Sequence, residues 1–198
     1  MRLLRLYLNL LDKHPWKTQS FTVGSLMCVG DAIAQFGVER RQMADFDFKR
    51  SGRFLLFGAC LAGPVIRKWY VTLDKLFPGT TKVTAFKKMA ADQIFFAPTF
   101  LFGFLTIMSA GQGKSSLEIQ EKINQDYFQM LLNSYKVWPA TQLLNFYFVP
   151  LQHRIFVVQM VALGWNAYLA WASEKQVTKI DEIADEQIIN DSCSTCAS

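Results

Sequence analysis

Two aspartates stand where an ionised group is costly. Asp31 lies in the apolar stretch 18–36 and Asp92 in the stretch 90–111. An unpaired charge in the middle of a bilayer costs roughly 3 kcal/mol or more, so such groups turn inward and find partners. Among the cations within or between the apolar stretches, Arg67, Lys136 and Arg154 are the candidate partners. A structural salt bridge is the first chemistry that this pattern offers. A pore-lining cation site or gate is the second. A membrane-embedded acid/base pair is the third, and the rest of the chain gives it no help.

The remaining catalytic vocabulary is sparse. His14 sits beside Pro15 and His153 beside Arg154, and neither has a spaced ligand partner. The sequence contains no HExxH, GxSxG, P-loop or GxGxxG motif. Cys193 and Cys196 form a lone CxxC without the further ligands that a zinc site needs. Cys28 and Cys60, in apolar runs, read as small hydrophobes. The expectation is a protein that is not an enzyme and uses no metal and no cofactor.

The elements that must carry these groups are long and apolar. Of 198 residues, 51% are hydrophobic and 14% aromatic, with only 19% charged, against roughly 25% in soluble domains. Mean hydropathy is +0.13. Five stretches stand out: 18–36, 53–73, 90–111, 128–150 and 155–173. The uncharged runs 94–113 and 155–173 are 20 and 19 residues long, which suits a ~30 Å hydrocarbon core. Between the third and fourth stretches, Ser115 and Glu118 have capping-box spacing. Ile119, Ile123, Tyr127, Met130 and Leu131 then share one face, so an amphipathic helix is expected near 115–130.

The segment 138–171 has one formal charge, Arg154. As one helix its 34 residues would reach ~51 Å, too long for a single ordinary span. A turn or hinge is expected at Pro150–Arg154.

Polar and small residues inside the stretches fall in stripes. Gly24, Cys28, Asp31 and Gln35 share a helical face, as do Asp92, Thr99, Gly103 and Thr106. Gln142 and Asn145 align with Gln152, and Gln159 and Asn166 with Ala162 and Ala170. The second stretch carries Gly58/Ala62 and Ala59/Gly63, the spacing at which helix backbones approach closely. Pro64, Pro98, Pro139 and Pro150 lie within or at the ends of the stretches, where each frees a carbonyl that a neighbour or water must satisfy. Trp69, Trp138, Trp165 and Trp171 lie near stretch ends, as interfacial aromatics do. Two readings stay open: tight dry helix packing, or a bundle around a water-filled path.

Charge distribution argues against a nucleic-acid surface. Net charge is +5, but the tail 174–198 holds six acids and two lysines. Basic residues elsewhere gather in short clusters between apolar runs (Lys49, Arg50 and Arg53; Arg67 and Lys68; Lys87 and Lys88), the pattern of loops flanking spans. Loops 37–53 and 74–89 are both basic, so orientation is left open. "MRLLRLYLNLL" suits a basic interfacial or organelle-targeting segment, or simply a first helix.

The strings "HPWKTQSFTVGSLMCVGDAIAQFGVERR", "GPVIRKWYVTLDKLFPGTTKVTAFKKMAADQIFFAP" and "WPATQLLNFYFVPLQHR…WNAYLAW" resemble the Mpv-seventeen and peroxisomal-membrane-protein (PMP-twenty-two) family. The likeness covers about residues 1–173, nearest to the family's mitochondrial inner-membrane founder; the acidic tail has no counterpart. Its motif positions correspond here to Gly24, Asp31, Arg50, Gly63, Pro64, Trp69, Tyr70, Asp92, Gln93, Pro98, Trp138, Pro139, Asn145, Phe146, Pro150, Arg154, Trp165 and Asn166. No chemical role comes with them. The resemblance implies a small polytopic organelle membrane protein, conventionally drawn with four spans. It also implies channel activity, with links to mitochondrial DNA maintenance and reactive oxygen species.

The expectations are therefore concrete. The fold is an all-α polytopic membrane bundle of four to five hydrophobic segments, one domain over 1–173, with 174–198 an acidic, disordered tail. The location is the mitochondrial inner membrane, or alternatively the peroxisomal membrane. The function is a channel for small solutes or ions, or else a non-conducting scaffold or assembly protein. Partners are the lipid bilayer, small solutes or ions, and further copies or a membrane complex; direct nucleic-acid binding is not expected.

Overall fold

A computed structural model describes residues 9–10, 13–79, 81–148 and 157–174, with backbone alone for 145–147. Pro150, Arg154, the CxxC and the acidic tail lie outside the described residues. Helix α1, Pro15–Ile33, opens with a proline in its first turn, where the missing N–H costs nothing. It runs on through a π-helical turn, Ala34–Val38, and the chain then reverses through Arg40 at φ 55°. Asp47 caps the next helix by accepting from the Arg50 amide. That helix comprises α2, Phe48–Phe57, a π turn, Gly58–Ala62, and α3, Gly63–Leu76. After a turn at Gly79 (φ 105°), Thr81 caps α4, Lys82–Ala91. A third π turn, Asp92–Phe96, joins it to α5, Ala97–Gly111.

Two of the π turns have a direct cause. Pro64 and Pro98 have no N–H, so the carbonyls of Cys60 and Ile94 lose their α-helical donors. In each case the residue before the proline reaches back five positions: Gly63 N–H to the Gly58 carbonyl, and Ala97 N–H to that of Asp92. The helices thus pass through their prolines as π bulges and are not broken by them.

The Ser115–Glu118 pair forms the expected reciprocal cap, with the Ser115 amide donating to Glu118 Oε2 at 2.6 Å and the Glu118 amide to Ser115 Oγ at 3.4 Å. Helix α6, Ser116–Phe148, follows and carries Pro139 inside it. The last described helix, α7, covers 157–174. Among the described residues no strand occurs.

Among the described residues three helices are long and apolar enough to cross a membrane: Pro15–Val38, Phe48–Leu76 and Lys82–Gly111, of 24, 29 and 30 residues. Their lengths, ~36 to ~45 Å at 1.5 Å per residue, exceed a ~30 Å hydrocarbon core. The described parts of the fourth and fifth apolar stretches, 128–148 and 157–173, fall in α6 and α7.

Each rod touches the next, and the last returns to the first. α1 packs on α2 and α3 through Gly24 and Ser20. Phe54 and Phe57 of α2 meet Phe104 of α5, with ring centroids 6.3 and 5.4 Å away. Tyr127 of α6 stands edge-on to Phe102 and donates to the Pro98 carbonyl. Asn133 of α6 donates to Tyr168 of α7 at 2.6 Å, and Asn166 of α7 lies against Gly30 of α1. A single apolar cluster fills this ring, with Met27, Phe54, Leu105, Met108, Met130 and Leu169 drawn from its different members. The outside is apolar too: Phe21, Leu56, Ile94 and Phe95 are all exposed. Apolar girth with ionised groups inside inverts the soluble pattern.

Candidate functional site: a buried ion-pair clasp

Asp31 is fully buried and accepts three hydrogen bonds. Arg50 Nε donates to its Oδ1 at 2.6 Å. Its Oδ2 takes Gln35 Nε2 at 2.8 Å and Ser51 Oγ at 2.5 Å. Arg50, only 1% exposed, also grips Glu39 with Nη1 at 2.8 Å, and Glu39 is held in turn by Arg41 Nε at 2.8 Å. Arg50 Nη2 has no hydrogen-bond acceptor among the described residues. Gln35 completes the clasp: its Oε1 accepts from the Asp47 amide at 2.8 Å, while its Nε2 reaches the Asp47 carbonyl at 3.2 Å.

Local structure places each group. A four-residue step puts Asp31 and Gln35 on one face of α1 as it enters its π turn. The Asp47 cap sets the first turn of α2, which aims Arg50 and Ser51 back at that face. Glycine lets the helices close around them. A Cβ at Gly58 would stand 2.6 Å from the Gly24 Cα, and one at Gly63 would stand 2.6 Å from the Ser20 Cα. The small-residue spacing of the second stretch is thus a helix contact, and the α1 stripe of Gly24, Asp31 and Gln35 faces protein.

The charge pairing differs from expectation. Asp31 pairs with Arg50, a residue that sequence reading placed only in a basic loop cluster and a family motif. Arg67 instead donates to Gln19 at 3.2 Å and lies 5.1 Å over the Trp16 ring. Lys136 is exposed on α6, and Arg154 lies outside the described residues. The reason is tertiary: the 39–47 loop folds back so that the start of α2 meets the end of α1. The available signal was the Asp47–Arg50 cap spacing, which fixes where that helix begins.

Asp92 forms a second, smaller centre. It accepts from Trp69 Nε1 at 2.9 Å and Gln93 Nε2 at 3.2 Å. Trp69 stacks on Phe96 at 5.4 Å, so α3 and the third π turn are fastened together here. Thr99 is exposed and turns its hydroxyl to the Phe95 carbonyl at 2.8 Å; it faces away from the ring's interior. Gln142, Gln159 and Asn166 are half-buried, Pro139 is part of α6, and Trp138 meets Trp165 edge-on at 6.3 Å. The side chain of Asn145 lies outside the described residues.

A third cluster carries no motif. Lys122, 1% exposed, donates to the Ser173 carbonyl. Glu174 accepts from Arg53 at 3.3 Å and Gln112 at 2.9 Å. Burial, helped by Lys114, pushes the Lys122 ammonium down to about 8, with Asp126 and Glu174 opposing. Burial pushes the Asp126 carboxyl up. The apolar periodicity of 115–130 concealed this pair, because Lys122 and Asp126 lie on the same inward face as Ile119, Ile123 and Met130. Among the described residues no three His, Cys, Asp or Glu side chains group as metal ligands would.

Lipid-facing apolar rods around buried ion pairs define a polytopic α-helical membrane protein. The chain belongs to the Mpv17 / PMP22 family, whose model matches residues 109–170. The protein named mitochondrial inner membrane protein Mpv17 of Xenopus laevis is 47% identical over 173 residues, 87% of this chain and 98% of its own. That of Homo sapiens is 46% identical over 175 residues, 88% and 99% of the two chains. Protein sym-1 of Neurospora crassa is 39% identical over 171 residues, 85% and 98%. No solved structure matches. With these relatives, the chain is a protein of the mitochondrial inner membrane.

Proposed function

We propose that this protein is channel-like, passing small solutes or ions across the mitochondrial inner membrane. Through that traffic it contributes to mitochondrial homeostasis, mitochondrial DNA maintenance and control of reactive oxygen species. The observation that carries the reading is a closed ring of helices around one apolar plug. Leu101, Leu105, Met108, Met130 and Leu169 fill its interior, and apolar constrictions gate by excluding water. The half-buried amides Gln142, Gln159 and Asn166 give α6 and α7 polar groups for an opened path. Neither catalysis nor direct nucleic-acid contact belongs to this reading.

Thinning the plug tests it. Wild type and the Leu105→Ala and Met108→Ala variants are reconstituted into liposomes and recorded electrically. Both variants are expected to conduct more readily than wild type. Silence from all three, with helical content and monodispersity intact, would sink the reading. A non-conducting scaffold is the second reading, and the buried Asp31–Arg50 clasp favours it, because rigid close packing suits an assembly role. A silent protein that co-purifies with a large membrane complex would establish that alternative.

A further inference from the structure

Between α3 and α5, on the outside of the ring, runs a groove of ≈ 490 Å³. Its walls are Leu61, Val65, Phe96, Phe100 and Ile107, with Phe57 at one end and Lys68 and Thr72 at the other. From Phe57 to Thr72 the groove follows ~22 Å of helix, ample for the ~15 Å depth of one leaflet. Gly103 lies in the lining, and a Cβ there would meet nothing within 4 Å. A glycine at this point keeps the trough open without serving any helix contact.

The polar end supplies charge. Between residues 67 and 92 the cations are Arg67, Lys68, Lys75, Lys82, Lys87 and Lys88, against Asp74 and Asp92 alone. Both aspartates are engaged, Asp74 by Lys88 at 2.6 Å and Asp92 by Trp69 and Gln93. Lys68 is exposed, and its ammonium makes no ion pair among the described residues. Basic residues at a membrane surface attract anionic lipid.

The geometry points to an ordered anionic phospholipid on this face, one acyl chain in the α3–α5 groove and its phosphate on Lys68. A second copy fits less well. Copies in one membrane share orientation, so a symmetric contact here would set the two lysine-rich ends against each other. The site stands apart from the plug and holds whether or not the protein conducts.

Native mass spectrometry of the intact protein, released from vesicles of equal phosphatidylglycerol and phosphatidylcholine, reads the occupant. Wild type is expected to retain one phosphatidylglycerol in preference to phosphatidylcholine. Lys68→Gln should cut that preference about fivefold, the usual contribution of one basic residue near an anionic surface. Gly103→Leu should remove the retained lipid altogether, with Gly103→Ala as the milder variant should leucine disturb folding. Lys49→Gln, at the opposite end of α2 and α3, should change nothing. Equal retention of the two lipids by wild type overturns the proposal, as does retention indifferent to both Lys68→Gln and the Gly103 variants. A dimer that Gly103→Leu dissociates overturns it in favour of a second copy.

Discussion

Replacing Asp31 by asparagine removes one charge and almost no volume, so its effect isolates the clasp's electrostatics. Both carboxylate oxygens accept hydrogen bonds, Oδ1 from Arg50 and Oδ2 from Gln35 and Ser51. Whichever way the new amide turns, its NH₂ meets a donor. Arg50, 1% exposed, is left with Glu39 as its one acidic partner among the described residues. Breaking one side of a buried pair costs about 3–5 kcal/mol, and a chain of this size loses roughly 2–4 °C per kcal/mol. Asp31→Asn should therefore lower the midpoint of thermal unfolding in detergent by roughly 6–20 °C. Arg50→Met should do the same, since it strands Asp31. The double variant is the decisive measurement, because it removes the orphaned charge along with its partner. Its loss should fall short of the sum of the single losses by about 0.5–3 kcal/mol, as coupled sites do. Additive losses, or single losses under about 1 kcal/mol, would refute the reasoning and make the clasp incidental to stability.

Other outcomes follow from the same geometry. Gly58→Val should sharply reduce folded yield, because its Cβ would lie 2.6 Å from the Gly24 backbone; Gly52→Ala, in open space, should not, and size-exclusion profiles compare the two. Trp69→Phe keeps the stack on Phe96 but leaves Asp92 without its indole donor, and should cost about 1.5–3 kcal/mol by thermal unfolding. The Lys122 ammonium sits at about 8 in the fold against 10.5 when free, so between those values the unfolded chain binds more protons. Stability should then rise as pH climbs from about 8 towards 10.5, and Lys122→Met should flatten that rise in a melting series across pH.

Much of the architecture could be read from pattern. The apolar stretches, where described, are helical, the Ser115–Glu118 spacing is a cap, and the Gly58/Ala62 and Ala59/Gly63 steps mark a close helix approach, whose partner is α1. What escaped was long-range or masked by local pattern. The partner of Asp31 came from a loop reversal, and no periodicity encodes which loop folds back. Lys122 and Asp126 were hidden inside an apolar face, because their four-residue step falls in register with the apolar residues around them, and only tertiary packing shows that both are buried. The third-stretch stripe misled for a different reason. The π turn at Asp92–Phe96 shifts the register that a 3.6 count assumes, and Thr99 ends exposed while Asp92 is half-buried against Trp69.

Ring closure carries a consequence for biosynthesis. The Asp31–Arg50 clasp joins residues 19 apart in the chain, so it can form while most of the protein is still being made. The contacts that shut the ring come late: Glu174 with Arg53 spans 121 residues, and the α7 seat against Gly30 awaits the same helix. Until then the emerging bundle presents an open flank with the Gly30 face bare. A nascent chain of this protein is thus stapled early at one corner and sealed late at the other. A chain released before residues 157–174 would enter the membrane with that seam unsealed.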